Sequence, residues 1–225
     1  MITFENVSKK FPSGNLALKK ATFEIADRDF VFLVGPSGAG KTTILKLILR
    51  DFAPSSGRIL VDNFDLSPPK FKHIPDLRRT IGVVFQDFKV LVDKNIAENI
   101  AIGLKVLGWP QGQIQNEVQE ALALVGLSGR ELMFPAQLSA GELQRVAIAR
   151  AIVGERSIIL GDEPTGNLDP KTTWEIMKIF KKIEGKRTVI LATHNVDIVN
   201  SLQKRVIALK DGEIIKDQKK GRYEI

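Results

Sequence analysis

The sequence predicts an α/β fold: a mainly parallel β-sheet covered by helices, with a helical segment inserted between strands. Three observations predict it. From residue 141 onward, apolar stretches of strand length alternate with amphipathic stretches of helix length. Residues 35–42 form a glycine-rich turn that leaves an apolar strand and enters a helical pattern. Residues 95–125 read as helix, broken at Gly108-Trp109-Pro110. With 225 residues, 44% hydrophobic and 26% charged, the chain is sized and composed as one large globular domain.

Ile2–Val7, Ala21–Ile25 and Phe30–Val34 are short β-type stretches, separated by Pro12-Ser13-Gly14 and Asp27-Arg28-Asp29. Thr42–Arg50 reads as a helix with Ile44, Leu45, Ile48 and Leu49 on one face. Arg58–Val61 and Ile81–Phe85 are further strands. After the helical middle comes a helix from Gly141 to Val153, then strand Ser157–Leu160, helix Thr172–Ile183, strand Thr188–Ala192 and helix Val196–Leu202. Arg205–Leu209 and Glu213–Lys216 close the chain as a hairpin across Asp211-Gly212. His73 reads as a loop residue, and no internal repeat is visible.

Composition excludes several classes. The absence of cysteine removes disulfide scaffolds, thiolate zinc sites, iron–sulfur clusters and cysteine nucleophiles, and two histidines leave little for a histidine-built metal site. Lys+Arg 33 against Asp+Glu 26 gives +7, which suits anionic company: a nucleotide, a nucleic acid or an anionic membrane face. The basic residues come as scattered pairs such as Lys9-Lys10 and Arg78-Arg79, the pattern of solvated surface, with no aromatic-interleaved basic stretch. No apolar stretch nears the ~18–20 residues that span a bilayer, and Met1-Ile2-Thr3-Phe4-Glu5 lacks the basic flank of a signal peptide. The expectation is a cytoplasmic chain that meets a membrane through a partner.

Three motifs carry chemistry. Gly35-Pro36-Ser37-Gly38-Ala39-Gly40-Lys41-Thr42 matches the P-loop pattern at every required position, between a strand and a helix. The glycines let successive N–H groups face phosphate oxygens, the helix N-terminus adds partial positive charge, Lys41 supplies a cation for the β- and γ-phosphates, and the Thr42 hydroxyl is a Mg²⁺ ligand. Asp162-Glu163 ends the apolar strand that begins at Ser157, which places Asp162 at the carboxyl edge of the sheet for the Mg²⁺ shell and Glu163 for taking a proton from an attacking water. Leu138-Ser139-Ala140-Gly141-Glu142 precedes a helix. Ser139 and Glu142 there read equally as a capping box and as a second phosphate-binding helix start, and the two readings are compatible.

In this order and spacing the motifs resemble the ATP-binding subunit of ABC transporters, over essentially the whole chain. The resemblance implies a P-loop ATPase of ABC type. Its mainly parallel sheet carries an antiparallel β subdomain, its core spans roughly 1–90 and 155–225, and a helical subdomain spans roughly 91–154. By the same resemblance, Phe11 stacks on adenine and the cradle extends through Thr43. Gln86 joins the Mg²⁺–water shell, Asn167-Leu168-Asp169 matches the D-loop, and His194 is the switch histidine beside Glu163. Two copies then form a head-to-tail dimer around two ATP molecules, with Ser139 and Gly141 of one copy completing the site of the other. The residues Glu163 to Asp169 resemble the branch that serves lipoprotein release, macrolide efflux and cell division. Gln86-Asp87-Phe88-Lys89-Val90-Leu91 resembles the cell-division members, which pair with a membrane protein of FtsX type and control cell-wall hydrolases. On this reading the helical segment, with Phe88 and residues 90–99, docks a cytoplasmic helix of that partner, and no direct nucleic-acid contact is expected. Other readings remain open: an exporter ATPase of the same branch, a weakly hydrolysing regulatory clamp, and an ABC ATPase acting on nucleic acid.

Three residues depart from the family pattern. Ala140 takes the place of a glycine and Glu142 that of the glutamine of many members; the Ala140 methyl is expected to crowd the γ-phosphate, or to strain the turn if a positive φ is required there. Gly161, before Asp162, is smaller than the usual apolar residue. The expectation is reduced rather than abolished turnover.

Overall fold

The computed structural model describes residues 1–224. The chain opens with β1 (Ile2–Lys10) and β2 (Leu16–Ile25), a hairpin in which Gly14 N donates to Phe11 O and Phe11 N to Asn15 O. β3 (Phe30–Val34) runs through the glycine-rich turn into α1 (Lys41–Ile48). Next come β4 (Ser56–Val61), β5 (Phe64–Asp65), α2 (Ile74–Arg79) and β6 (Ile81–Phe85). Three helices follow: α3 (Ile96–Val106), α4 (Gln111–Val125) and α5 (Ala140–Ile152). The chain then alternates through β7 (Ile158–Asp162), α6 (Pro170–Ile183), β8 (Thr188–Ala192) and α7 (Val196–Leu202), and ends with β9 (Arg205–Lys210) and β10 (Glu213–Gln218).

The strands make two sheets. One is antiparallel, in the order β2-β1-β4-β5. The other, β10-β9-β3-β8-β7-β6, is parallel except for the β9–β10 hairpin. Alternation along β3 explains the layering. Phe30, Phe32 and Val34 face an apolar cluster built with α3 to α7, whereas Val31 and Leu33 face a second cluster built with α1 and the antiparallel sheet. Every residue of β3 and β8 is buried, as strands covered on both faces require. Each large side chain so buried contributes about 1.5–3 kcal/mol of transfer free energy.

Several helices start at a side-chain cap. Asn95 and Glu98 form a capping box at α3, Ser139 and Glu142 form another at α5, and Asp169 accepts from Thr172 N at α6. The three helices between β6 and β7 share one cluster with the sheet, because α5 packs on α3 and α4 on one side and on β6 on the other.

Several bounds shift by two or three residues, as where β1 runs on from Val7 to Lys10, and three elements differ more. β2 starts at Leu16 rather than Ala21, because Lys20 sits at φ 43° and the register slips, which breaks the alternation that marks a strand in sequence. α2 has six residues, too few to show a helical period, and is anchored by buried Leu77 and by Arg78 donating to Leu49 O at 3.1 Å. β5, at two residues, carries no readable pattern.

Candidate nucleotide-binding and hydrolytic site

The sheet gathers the predicted residues because its parallel strands deliver their carboxyl ends to one edge. Gly35 directly follows β3, Gln86 directly follows β6, Asp162 ends β7, and His194 lies two residues beyond β8. The glycine-rich turn has the backbone that its residues imply. Gly35 adopts φ 151° and Gly40 φ 107°; a Cβ at Gly40 would lie 2.8 Å from Ala17 O, so β2 closes over the turn too tightly for any side chain. Lys41 is 7% exposed, and its Nζ donates to Gly35 O at 2.7 Å and Pro36 O at 3.1 Å, which holds the ammonium against the inside of the loop.

Thr42 Oγ1 donates to Asp162 Oδ1 at 3.0 Å. A hydroxyl and one carboxylate are hard oxygen donors of the kind that hold Mg²⁺ together with substrate phosphates. Among the described residues no group of three or more His, Asp or Glu could hold a metal ion by itself. Burial pushes the Asp162 carboxyl up from its ordinary pKa, and the Glu163 charge pushes the same way. The Thr42 hydrogen bond and the charges of Lys46 and Lys41 oppose them.

Glu163 does not continue the strand. Its φ of 48° is left-handed, a conformation that costs a non-glycine residue about 1 kcal/mol. The kink turns its carboxylate away from Asp162 and toward the end of β8. There His194 Nδ1 lies 2.9 Å from Glu163 Oε1, and His194 N donates to Oε2 at 3.3 Å. At Gly161 a Cβ would lie 2.6 Å from Leu191 Cδ2 and 3.2 Å from Pro164 Cγ, so a larger residue there needs these two side chains to shift.

Gln86 is exposed at the end of β6, and its side chain is not hydrogen-bonded to Thr42 or Asp162. Its Nε2 donates to Asn167 Oδ1 at 2.9 Å, and Asn167 Nδ2 donates back to Gln86 O at 3.2 Å. Phe11 lies at the tip of the first hairpin, edge-on to Phe52 at 5.1 Å, with Lys9 Nζ 5.3 Å from its ring. Ser139 and Gly141 form no hydrogen bond with residues 35–43 of the same chain. Ser139 Oγ donates instead to Glu142 Oε2 at 2.9 Å, and Gly141 lies against α6, where a Cβ would lie 2.5 Å from Thr172 Cγ2. Ala140 opens α5 in helical conformation and outside the left-handed region. The expected strain from its methyl is therefore absent, because the turn before it is made by Leu138 and Ser139 in extended conformation.

Some residues at the site carried no readable motif. Arg150 donates to Phe88 O at 3.0 Å and Lys89 O at 2.6 Å, pinning two consecutive left-handed residues just after Gln86. Fully buried Asn99 binds Leu91 N, Leu91 O, Lys94 O and Asn95 O, which fixes the following loop. Buried Gln144 donates to both Phe85 O and Pro164 O, tying α5 to the ends of β6 and β7. Phe88 is half-buried rather than a core aromatic. The only available signal was an arginine, asparagine or glutamine on an otherwise apolar helix face, which reads equally as solvent-facing. Tyr223 packs against the core cluster near the chain end, where burial and the Glu163 charge push its phenol pKa up.

Comparison with known proteins matches this geometry. The family model described as ABC transporter covers residues 18–166. The chain is 48% identical over 224 residues to the cell division ATP-binding protein FtsE of Bacillus subtilis (strain 168), covering 99% of this chain and 98% of that one. It is 43% identical over 225 residues to FtsE of Mycobacterium tuberculosis, with 99% and 98% covered, and 41% over 215 residues to FtsE of Escherichia coli K12, with 95% and 97% covered. Among solved structures it resembles the dimeric post-hydrolysis state of the ATP-binding cassette MJ0796 bound to ADP and Pi, with a TM-score of 0.87, 33% identity, and 99% of this chain and 100% of that one covered. It also resembles cbiO1 from Clostridium perfringens, part of the ABC transporter complex cbiONQ, with a TM-score of 0.89, 31% identity, and 97% and 88% covered. A glycine-rich phosphate cradle, a hydroxyl–carboxylate pair at the next strand but one, and a kinked glutamate facing a histidine thus lie in a chain that belongs to the ABC transporter ATP-binding family, among relatives named for cell division.

Proposed function

We propose that this chain binds and hydrolyses ATP as one half of a head-to-tail dimer, and that closure of the dimer drives an integral membrane partner of FtsX type in cell division. The observation that carries the reading is the juxtaposition of two pairs at one sheet edge: Thr42 with Asp162 at 3.0 Å and Glu163 with His194 at 2.9 Å. The first pair holds a cation, the second a base and its orienting partner. Backbone N–H groups of residues 38–43 and the Lys41 ammonium bind the triphosphate, and Phe11 offers a ring to the base. Bound through Thr42 and Asp162, Mg²⁺ would neutralise phosphate charge and fix the geometry of the phosphates. Glu163 accepts the proton of the attacking water, and His194 holds that carboxylate in place. Gln86 reports on the site through Asn167 and passes movement to residues 88–95.

The names of the relatives support the cell-division branch. No helix among the described residues is long and apolar enough to cross a membrane. A groove of about 340 Å³ between β6 and α3 is lined by Leu49, Ile81, Val83, Phe85 and Ile102 together with Arg78, Arg150 and Arg156, and by no carboxylate. It leads directly to the Arg150–Phe88 hydrogen bond, and we assign it to a cytoplasmic helix of the partner, which places the chain on the inner face of the plasma membrane. The test is Glu163→Gln. Hydrolysis should fall by about 10²–10⁴-fold, the usual contribution of a general base, while ATP still binds and ATP-dependent dimers accumulate. Wild-type hydrolysis by that variant overturns the assignment. Co-purification with a four-span membrane protein tests the partner.

A further inference from the structure

We propose that Arg130 is a positioning residue for the ATP sandwich: by holding Glu142, it neutralises the one acidic group beside Ser139, so that Ser139 can meet the terminal phosphate bound by the other copy. The inference rests on the dimer reading above. At the start of α5 a single carboxylate oxygen, Glu142 Oε2, accepts from both Ser139 N and Ser139 Oγ, each at 2.9 Å. Glu142 N donates back to Ser139 Oγ at 3.3 Å. The other oxygen, Oε1, lies 3.2 Å from Arg130 Nη1.

This arrangement carries a conflict. A carboxylate in the first turn suits the helix dipole. It also occupies the N-terminus that an arriving phosphate needs, and it holds the Ser139 hydroxyl proton. Two anions at one helix start repel unless a cation lies between or beside them. Arg130 is that cation. The second arginine acting on Glu142, Arg145, is committed elsewhere, with Nη1 on Val125 O at 3.3 Å and Nη2 on Glu175.

Arg130 is also held in place beforehand. Its N donates to Leu127 O at 3.2 Å, and its carbonyl accepts from Met133 N at 3.1 Å. The same short loop caps α3, since Ile96 N donates to Met133 O and Ala97 N to Glu131 O, both at 2.9 Å. The Arg130–Glu142 pair is itself too exposed to matter much for folding, at 41% and 26% side-chain exposure. An arginine on a fixed loop, in an ion pair whose loss the fold would tolerate, points to a purpose beyond stability.

The test uses the Glu163→Gln background, in which ATP-dependent dimers are trapped, with MgATP as the probe. Arg130→Ala should raise the ATP concentration for half-maximal dimerisation about 5–20-fold, the scale of one unscreened charge contact. Nucleotide affinity of the monomer and the melting temperature should stay near those of the parent. Arg130→Lys should recover part of the loss. Adding Glu142→Gln should remove most of it, because a neutral amide caps the helix without needing a counter-charge. If Arg130→Ala dimerises like the parent, or loses as much with glutamine at 142 as with glutamate, the role is overturned. If the parent itself forms no dimer with ATP, the sandwich fails and this role fails with it.

Discussion

Two carboxylates of this chain are shifted in opposite directions, and the contrast separates its two functional regions. Asp162, at the end of β7, is raised by burial. Glu142, in the first turn of α5, is lowered first by the N–H and hydroxyl of Ser139, with Arg130 and Arg145 adding their charges. The first region is assembled within one chain, and its burial disfavours the charge of Asp162. In the second, Ser139 is satisfied by Glu142 and makes no hydrogen bond to the glycine-rich turn of its own chain. On the proposed function the first would take a cation and the second a phosphate, and two copies facing each other would bring them together.

The largest expected effect that sharpens this contrast is the loss of hydrolysis in Glu163→Gln, about 10²–10⁴-fold, read by steady-state phosphate release. If His194 serves by holding Glu163, His194→Ala should lower the turnover number more than it raises the KM for ATP. Equal changes in both would instead make His194 a binding residue.

Next in size is Gly141→Ala. The new Cβ would lie 2.5 Å from Thr172 Cγ2, so overpacking should cost about 1–3 kcal/mol by denaturant titration. Thr172→Ser removes that methyl while keeping a hydroxyl for Asp169, and should restore much of the loss. A full loss that persists in the double variant would mean that the contact is not the cause.

Smaller again is a stability change at Asp162. A carboxyl raised in the fold favours the folded state at pH below its unfolded value. That contribution is lost as pH rises from the ordinary carboxylate range through the raised folded value, so at neutral pH the fold bears the full cost. Asp162→Asn should therefore raise the melting temperature of the nucleotide-free chain near pH 7, by about 2–4 °C for each kcal/mol relieved. The gain should vanish in acid, where the wild-type carboxyl is protonated. A gain that is constant with pH would point to packing instead of charge.

The site motifs were legible because each is local. Residues 35–42, 138–142 and 162–163 show their chemistry as neighbours in the chain, and the strands that carry them have apolar patterns long enough to read. The Gln86–Asn167 pair spans 81 positions, and the Arg150–Phe88 hydrogen bond spans 62. No local pattern announces that a polar side chain will find a backbone carbonyl that far away. The same holds for α2, whose six residues become helical because Leu77 has a core to enter. Ala140 taught the reverse lesson. The methyl looked costly while the turn geometry was unknown, and became unremarkable once the cap fell at Ser139.

By itself the sequence determined the alternation of strands and helices, the phosphate cradle and the acidic strand end, since spacing along one chain sets period and turn chemistry. Tertiary structure alone decided which carboxylate is half-buried and which is satisfied, which way Glu163 turns, and which arginine attends Glu142. Those outcomes depend on distances across the sheet and between loops, and electrostatic energies follow distance in space, not separation along the chain.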